Sequence, residues 1–243
     1  MQSPLSLTVS IVSHRNGGLI GNLLGDLREQ PADYSQIIIT LNVPEEESFF
    51  EKFADLPITV VRNTAPMGFG ENHNQAFRMA SGHLFAVVNP DIRISKSPFA
   101  RLAMAAKAPG VGASAPVVLS PGGAIEDNVR QFPTVGRLAV RVLLKRRLPH
   151  YRYTPDANMP VDWAAGMFIV FNREAFKSIG GFDTHFFMYF EDADICRRLW
   201  DSGYSVLLVP GAEVVHDAQR NSHSDAQHFR WHLRSAMRFL FGL

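Results

Sequence analysis

The segment Gln36-Ile37-Ile38-Ile39-Thr40-Leu41 decides the fold class, because its apolar residues follow one another without alternating polar positions. Such a short β-branched run is typical of a strand that is buried on both faces. The sequence predicts further strands at residues 5–12, 58–61 and 84–88. Helical spacing follows the first strand and recurs over residues 71–80. Strands that alternate with helices predict an α/β fold with a mostly parallel sheet flanked by helices.

Polar residues follow each of these strands, where the sheet is expected to end. They occupy positions 13–16, 42, 62–63 and 89–91. Ligands of open α/β sheets bind beyond the carboxyl ends of the strands. In Asn89-Pro90-Asp91 a carboxylate could hold a hard cation through oxygen, with diphosphate oxygens and water in the other positions. A plain strand-end turn is the alternative, since all three residues are common in turns.

The pattern changes after residue 119, where turns and a basic stretch separate the elements. Strands are predicted at 162–171 and 204–209, and helices at 173–179, 191–202 and 226–240. The sequence contains no internal repeat and no low-complexity segment. We therefore expect a single domain over residues 1–243, with residues 1–110 and 111–243 as its two halves.

A run of aromatic residues leads into three carboxylates at the start of the predicted helix 191–202. They are Glu191, Asp192 and Asp194. Acids in a first helical turn stabilise the helix by roughly 0.3–1 kcal/mol each, through the free amides and the helix dipole. A carboxylate among aromatic rings is also partly desolvated, which raises its pKa toward that of a general base. Helix capping and catalysis are both open for these acids.

Two further motifs allow a structural and a chemical interpretation. His216 follows a predicted strand and is either a structural hydrogen-bonding residue or a ligand of a metal or a diphosphate. Gly68, Gly70 and Asn74 lie where a loop opens a helix. Such a loop lets backbone amides approach a phosphate closely, although a lone Gly-x-Gly is also found in ordinary loops.

Composition excludes several classes of protein. The formal net charge of +1 gives no general attraction to nucleic acid. The single cysteine, Cys196, cannot form an intramolecular disulfide and suits a reducing compartment. No apolar stretch approaches the roughly 20 residues that span a bilayer, and the first residues lack the pattern of a signal peptide. The expected location is the cytoplasm.

Two basic stretches without acids leave contact with a membrane open. Each contains three basic residues at intervals of four. These are Arg137, Arg141 and Lys145 in one stretch and Arg230, Arg234 and Arg238 in the other. A solvated helix face over a core stripe is one explanation. A peripheral surface that meets anionic lipid headgroups or a lipid-diphosphate acceptor, at the inner face of the cell membrane, is the other.

Several segments of the second half together form a specific pattern. They are Trp163-Ala164-Ala165-Gly166-Met167, Arg173-Glu174-Ala175-Phe176, Ile179-Gly180-Gly181-Phe182-Asp183 and the run from Phe186 to Arg198. With the segments at 9–13, 63–74, 89–91 and 210–216, which follow in the same order, they resemble glycosyltransferase family 2. Within that family the pattern is similar to the bacterial rhamnosyltransferase-like branch, and the similarity covers nearly the whole chain.

The resemblance implies a GT-A fold, a nucleotide-sugar donor and inversion at the anomeric carbon. Asp91 matches the last acid of the family's metal-binding Asp-x-Asp motif, and with His216 it would hold Mg²⁺ or Mn²⁺. Asp192 matches the catalytic base, and Glu191 would orient neighbouring groups or the acceptor. Donor contacts are implied at the strand ends, in the glycine-bearing loop and around residue 165. These residues are Val12, Ser13, Asn16, Asn42, Asn63, Gly68, Gly70, Asn74, Asn89, Asp91, Trp163 and Gly166.

The implied reaction moves a sugar, with rhamnose from dTDP-rhamnose favoured, to a saccharide or lipid-linked saccharide acceptor in surface-polysaccharide synthesis. Residues 1–110 would bind the nucleotide-sugar, and residues 111–243 would supply the acceptor and catalytic half. A different nucleotide-sugar and a non-catalytic nucleotide-sugar-binding module are alternatives, although Asp192 in its aromatic and acidic context argues against the module. A nucleotidylyltransferase fits poorly because residues 14–18 are not a basic glycine-rich loop, and a metal-dependent hydrolase lacks a second ligand cluster.

Overall fold

The structure of the chain, a computed structural model, is an α/β fold built on one large sheet. It describes residues 6–30, 33–136, 151, 154, 157–217 and 226–242. The strands in chain order are β1 (Leu7–Ser13), β2 (Gln36–Leu41), β3 (Ile58–Arg62), β4 (Leu84–Val88), β5 (Ile92–Arg93), β6 (Val111–Leu119), β7 (Val129–Arg130), β8 (Met159–Pro160), β9 (Trp163–Ala164), β10 (Phe168–Asn172) and β11 (Ser205–His216). The helices are α1 (Gly17–Arg28), α2 (Phe69–Met79), α3 (Phe99–Ala106), α4 (Arg173–Ser178), α5 (Glu191–Asp201) and α6 (Ala226–Phe241), and a 3₁₀ helix covers Ser48–Phe53.

The large sheet is mostly parallel, which confirms the predicted fold class. Its strand order is β3-β2-β1-β4-β10-β6-β11-β5, with β8 paired to β11, while β7 and β9 form a separate two-stranded sheet. β1, β2, β3 and β4 pair in parallel, as do β6 and β11. β10 lies antiparallel between β4 and β6, so these two neighbours run in the same direction. Both predicted halves thus contribute strands to one sheet, and the boundary between them stays a prediction.

Both faces of the sheet are covered by helices, which accounts for the continuous apolar composition of β2. Ile37 and Ile39 lie in the core cluster that contains residues of α1 and α3, whereas Ile38 lies in the cluster on the other face. All three isoleucines are fully buried. Burial of such a side chain stabilises the fold by about 1.5–3 kcal/mol. A polar residue at any of these positions would therefore destabilise the core on one face or the other.

The strand predicted at 162–171 is wrong in one respect, because it consists of two strands in different sheets. β9 pairs with β7, and β10 pairs with β4 and β6. The chain bends between them at Ala165-Gly166-Met167, where a Cβ on Gly166 would approach the Phe69 ring to 3.1 Å. Because both strands are buried, their apolar composition gave no sign of the change of partner.

β11 is longer than the strand predicted at 204–209. It continues to His216 past a register shift between Val209 and Glu213. Pro210-Gly211 is typical of a turn, which explains why the sequence pattern ended the strand too early. The extension pairs His216 with Ile92 of β5, so the histidine lies next to the Asn89–Asp91 turn.

Candidate active site

The carboxyl ends of β1, β2 and β3 lie side by side at one edge of the sheet. Ser13 is paired with Leu41, and Leu41 with Arg62. The backbone N–H of Asn42 donates to the Ser13 carbonyl at 2.9 Å, and that of Asn63 to the Leu41 carbonyl at 3.0 Å. The first polar residues after these strands therefore lie next to one another, as the parallel arrangement predicted.

The loop after β1 is held by its own polar side chains. Ser13 is fully buried, and its Oγ accepts from the backbone N–H of Asn16 at 3.1 Å. The Asn16 side chain in turn accepts from the backbone N–H of His14 at 3.0 Å. Val12 is half-buried at the end of β1. Donor contacts by Val12, Ser13 and Asn16 stay predictions.

Three buried asparagines fix the loop between β3 and α2. The Asn63 amide donates to Asn42 Oδ1 at 3.0 Å and to Asn72 Oδ1 at 2.7 Å. Asn42 accepts from the Met67 backbone N–H at 2.8 Å and donates to its carbonyl at 3.0 Å. Asn72 Nδ2 donates to the Gly68 carbonyl at 2.9 Å. The network gives Asn42 and Asn63 a structural role, and it includes Asn72, whose place in the sequence carries no local signal of this role.

The loop glycines are required by close packing against the aromatic segment that precedes α5. A Cβ on Gly68 would lie 2.8 Å from the Phe187 carbonyl oxygen, and one on Gly70 would lie 2.5 Å from Phe182 Cβ. The backbone N–H of Phe69 also donates to the Phe187 carbonyl at 3.0 Å. These contacts join the loop to the acidic helix, and approach of the loop to a donor phosphate stays a prediction.

Asn74 connects α2 to the same segment through both polar atoms of its side chain. Its Nδ2 donates to the Phe182 carbonyl at 2.8 Å, and its Oδ1 accepts from the Phe182 N–H at 2.9 Å. Asn74→Ala leaves both backbone groups without these partners, so we expect the free energy of unfolding to fall by about 1–3 kcal/mol. Urea denaturation measures this change, with exposed Arg78→Ala on α2 as the control.

An unchanged urea midpoint in Asn74→Ala would contradict the structural role of this side chain. The affinity of the same variant for a nucleotide-sugar, measured by calorimetry, tests the separate sequence prediction that Asn74 contacts the donor.

His216 lies between two carboxylates beyond the carboxyl end of β4. Its Nε2 is 3.2 Å from Asp91 Oδ2, and its Nδ1 is 2.8 Å from Glu126 Oε2. The hydrogen bond to Asp91, followed by that to Glu126, raises the pKa of His216 to about 9 despite partial burial. Both ring nitrogens then carry hydrogen, and the ring has no free lone pair in this arrangement. Metal ligation by His216 stays a prediction that requires Nε2 to release its hydrogen to solvent.

Asp91 itself has the chemistry that a hard cation needs. Its Oδ1 is buried and has no hydrogen-bond partner among the described residues. Within that part of the chain no cluster of three or more His, Cys, Asp or Glu side chains could bind a metal ion. A cation held by one carboxylate and by the phosphate oxygens of a ligand needs no such cluster. The orphaned oxygen of Asp91 therefore fits a cation that binds together with a diphosphate.

The acids at the start of α5 differ in their surroundings. Asp194 is buried and pairs with Arg198 Nε at 2.7 Å, so it stabilises the helix. Glu191 is buried, its Oε2 has no hydrogen-bond partner among the described residues, and burial raises its pKa well above the usual value. Asp192 is half-buried, and desolvation raises its pKa as well. Glu191 and Asp192 thus remain available for chemistry.

Backbone amides fix the direction of the Asp192 carboxylate. Its Oδ2 accepts from the Gly166 N–H at 3.1 Å, and its Oδ1 accepts from the Ala193 N–H at 2.8 Å. These hydrogen bonds and the nearby Arg130 guanidinium oppose the effect of burial on the pKa of Asp192. Arg130 also lies over the Trp163 ring, 5.1 Å from its centroid. The Trp163 indole N–H donates to a backbone carbonyl at 3.1 Å, and its donor contact stays a prediction.

The turn before α5 is strained, and α6 supports it. Tyr189 and Phe190 have φ angles of 70° and 67°, in the left-handed region that non-glycine residues rarely adopt. Such conformations cost about 1–3 kcal/mol each and persist only where the surroundings enforce them. On α6, Ser235 donates to the Met188 carbonyl at 2.8 Å, and His228 is hydrogen-bonded to the Tyr189 hydroxyl at 2.8 Å. The position of Glu191 and Asp192 therefore depends on α6.

The bend between β9 and β10 contacts both Asp192 and the Asn89–Asp91 turn. On one side the Gly166 N–H donates to Asp192. On the other side the Met167 carbonyl accepts from the Asn89 N–H at 2.9 Å. Adjacent residues of one bend thus contact Asp192 and the Asn89–Asp91 turn, which are about a hundred residues apart in the sequence. Two neighbouring residues of the chain therefore connect the predicted base to the turn that carries the predicted cation ligand, and a shared site for the two stays a prediction.

The fold is that of the GT-A glycosyltransferases. GalNAc-T7, solved with UDP, GalNAc and Mn²⁺, matches 98% of this chain and 48% of its own, with a TM-score of 0.69 at 16% identity. Mannosyltransferase PcManGT from Pyrobaculum calidifontis, solved with GDP-Man and Mn²⁺, matches 98% of this chain and 65% of its own, with a TM-score of 0.66 at 20% identity. The model of the family described as "Glycosyl transferase family 2" matches residues 8–194, and the chain belongs to this family.

Two curated relatives carry rhamnosyltransferase names. The chain is 32% identical over 164 residues to N-acetylglucosaminyl-diphospho-decaprenol L-rhamnosyltransferase of Mycobacterium tuberculosis, which is 63% of this chain and 53% of that protein. It is 28% identical over 247 residues to Rhamnosyltransferase WbbL of Escherichia coli, which is 96% of this chain and 91% of that protein. The chain thus spans about half of the mycobacterial relative. These names confirm the resemblance to the rhamnosyltransferase-like branch.

Proposed function

We propose that the chain transfers a sugar from a nucleotide-diphosphate donor to an acceptor hydroxyl, with inversion at the anomeric carbon. The observation that carries this proposal is the bend at Gly166-Met167, which contacts Asp192 through one residue and Asn89 through the next. A base and a diphosphate site that share one bend allow attack and departure on opposite sides of a sugar ring. Rhamnose from dTDP-rhamnose is the favoured donor, since both curated relatives described above are named as rhamnosyltransferases.

Asp192 acts as the general base in this reaction. Its carboxylate is fixed by two backbone N–H groups, so it can meet the acceptor hydroxyl without reorientation. Removal of the hydroxyl proton as the oxygen attacks C1 makes the acceptor a stronger nucleophile. Glu191, buried beside it, would orient neighbouring groups or the acceptor. One displacement inverts the anomeric centre, and no covalent sugar–enzyme intermediate forms.

Asp91 would bind the cation that neutralises the leaving diphosphate. Its unpartnered Oδ1 would hold Mg²⁺ or Mn²⁺ together with the diphosphate oxygens. The bound cation supplies charge stabilisation where negative charge develops on the leaving diphosphate. His216 Nε2, 3.2 Å from the other carboxylate oxygen of Asp91, would be the second protein ligand once it releases its proton. The mannosyltransferase and GalNAc-T7 neighbours were solved with Mn²⁺, which supports a divalent cation here.

The favoured acceptor is a saccharide or a lipid-linked saccharide. The name of the mycobacterial relative includes a diphospho-decaprenol carrier, which supports the lipid-linked form. An acceptor of this kind would be presented at the inner face of the cell membrane, so we also propose peripheral contact there. None of the helices in the described residues has the length and apolar character that a bilayer crossing requires.

A donor panel tests the proposed function. Calorimetry with dTDP-rhamnose, UDP-GlcNAc and GDP-mannose, each with Mg²⁺ or Mn²⁺, is paired with a turnover assay on a water-soluble diphosphate-linked GlcNAc. We expect cation-dependent binding and acceptor-dependent release of dTDP with dTDP-rhamnose. Preference for another sugar with turnover would keep the reaction and change the donor. Absence of binding to every nucleotide-sugar in the presence of cations would contradict the proposal.

A further inference from the structure

α6 exposes an apolar stripe along its outward face. The stripe is formed by four large side chains at intervals of four residues, which places them on one side of a helix. They are Phe229, Leu233, Met237 and Phe241, with exposed fractions of 70%, 54%, 40% and 54%. A surface helix is expected to direct its apolar residues inward and its polar residues outward. The outward face of α6 has the opposite character.

The core does not need this stripe, because another face of α6 already packs on the protein. Ser235, Ala236 and Phe239 are buried. Phe239 stacks on Phe190 at a centroid distance of 5.6 Å, and its carbonyl accepts from Arg197 at 3.0 Å. The helix therefore has one apolar face in the fold and a second apolar face toward the surroundings. Contiguous exposed apolar surface of this kind marks an interaction site.

The charges beside the stripe indicate an anionic partner. Arg230 and Arg234 are exposed, and neither has an ion pair or hydrogen bond within the described part of the chain. Arg238 pairs with Asp183 at 3.3 Å. The sequence of α6 contains no acid, so nothing on the helix offsets these charges. A second copy of the chain would place like charges opposite each other across a symmetric interface, which is unfavourable. An anionic bilayer surface complements both the arginines and the apolar side chains.

We propose that the outward face of α6, defined by the four apolar residues with Arg230 and Arg234, docks on the surface of an anionic lipid bilayer. The opposite side of α6 supports the turn at Tyr189-Phe190, so docking would bring the segment that leads into Glu191 near the headgroups. The benefit for a lipid-linked acceptor rests on the proposed function, whereas the docking itself rests only on this surface. In the sequence, Arg230 and Arg234 fitted either a solvated helix face or a membrane-facing surface. In the structure they border an exposed apolar face.

Vesicle flotation tests the docking surface. The 243-residue chain is mixed with vesicles of phosphatidylcholine alone or with phosphatidylglycerol added, at low and high salt. We expect binding to the anionic vesicles that weakens with salt. Arg230→Gln with Arg234→Gln should lower the partition coefficient roughly 30-fold, since a basic residue near an anionic membrane contributes about 1 kcal/mol, or fivefold. Phe229→Ser with Leu233→Ser should lower it by about tenfold or more. Met104→Ser on α3, at another exposed apolar residue, should have no effect.

Three results would overturn the docking proposal. The first is absence of binding to anionic vesicles, and the second is equal binding by the α6 variants and the parent chain. The third is a dimer in light scattering that Leu233→Ser dissociates, in a chain that does not bind vesicles. The turnover assay with the soluble acceptor separates failure of the docking proposal from failure of the proposed transfer reaction. Turnover without vesicle binding overturns the docking alone, and vesicle binding without turnover leaves the docking standing while the transfer reaction fails.

Discussion

Asp192→Asn is expected to lower kcat by about 10²- to 10⁴-fold, the usual contribution of a positioned general base. Asparagine keeps the size of the side chain and an oxygen that can accept from Gly166, but it cannot take a proton. Donor affinity in the presence of a cation should remain within a few fold, because the substitution lies on the acceptor side. Steady-state kinetics with a saturating donor, and calorimetry of donor binding, measure the two quantities.

The control for this variant is Asp201→Asn, an exposed acid at the other end of the same helix. It makes the same chemical change on α5 and should leave kcat unchanged. The pH profile gives a second measure, since burial raises the pKa of Asp192 and the acidic limb of kcat should lie above the usual carboxyl range. Turnover of Asp192→Asn close to that of the parent chain would remove the base from the mechanism.

Asp91→Asn is expected to weaken cation-dependent donor binding by about 100-fold or more. The Asn side chain can still accept from His216, so the loss reports the missing negative charge next to the cation. Changes at residues that only support a metal ligand cost about 10- to 100-fold in metal affinity, so loss of a charged ligand itself should reach or exceed the upper value. Titration of the donor at fixed Mn²⁺, and of Mn²⁺ at fixed donor, separates the loss of metal affinity from the loss of donor contacts.

Asp217→Asn is the matched control for the substitution at position 91. Asp217 is exposed, and its backbone N–H donates to the Asp91 carbonyl at 2.9 Å, so it lies at the same turn without a buried carboxylate. We expect its metal titration to match that of the parent chain. An identical titration in Asp91→Asn would show that the cation binds elsewhere or that the reaction does not depend on it.

The fold could be predicted from the sequence wherever burial leaves a simple pattern. Residues 37–39 of β2 are apolar because helices cover both faces of the sheet, and the polar residues after β1, β2 and β3 lie together at one edge of it. The reversed strand β10 could not be predicted, since the direction of a fully buried strand leaves no periodicity. The bend at Gly166 was missed for the same reason, although its single glycine marks the close approach of Phe69.

The candidate site could be predicted in part, where a segment contains more acidic residues than the helix needs for its stability. Glu191 and Asp192 stand out because one acid suffices to cap a helix, and the structure gives Asp194 an ion pair with Arg198 one turn along the helix. Glu126 and Arg130 could not be found, because single charged residues in an irregular segment carry no local pattern. Their roles come from the fold, which brings Glu126 to His216 and Arg130 to Asp192. Arg137, Arg141 and Lys145 lie outside the described residues.

In the proposed reaction, a cation-bound diphosphate and the Asp192 carboxylate lie on opposite faces of the donor sugar. A crystal structure of the chain with Mn²⁺ and a non-hydrolysable analogue of dTDP-rhamnose measures this directly through the anomalous signal of manganese. We expect the manganese peak next to Asp91 and the diphosphate, with the Asp192 carboxylate facing the opposite side of C1. A peak remote from Asp91, or Asp192 on the same side of the sugar as the diphosphate, would contradict the account.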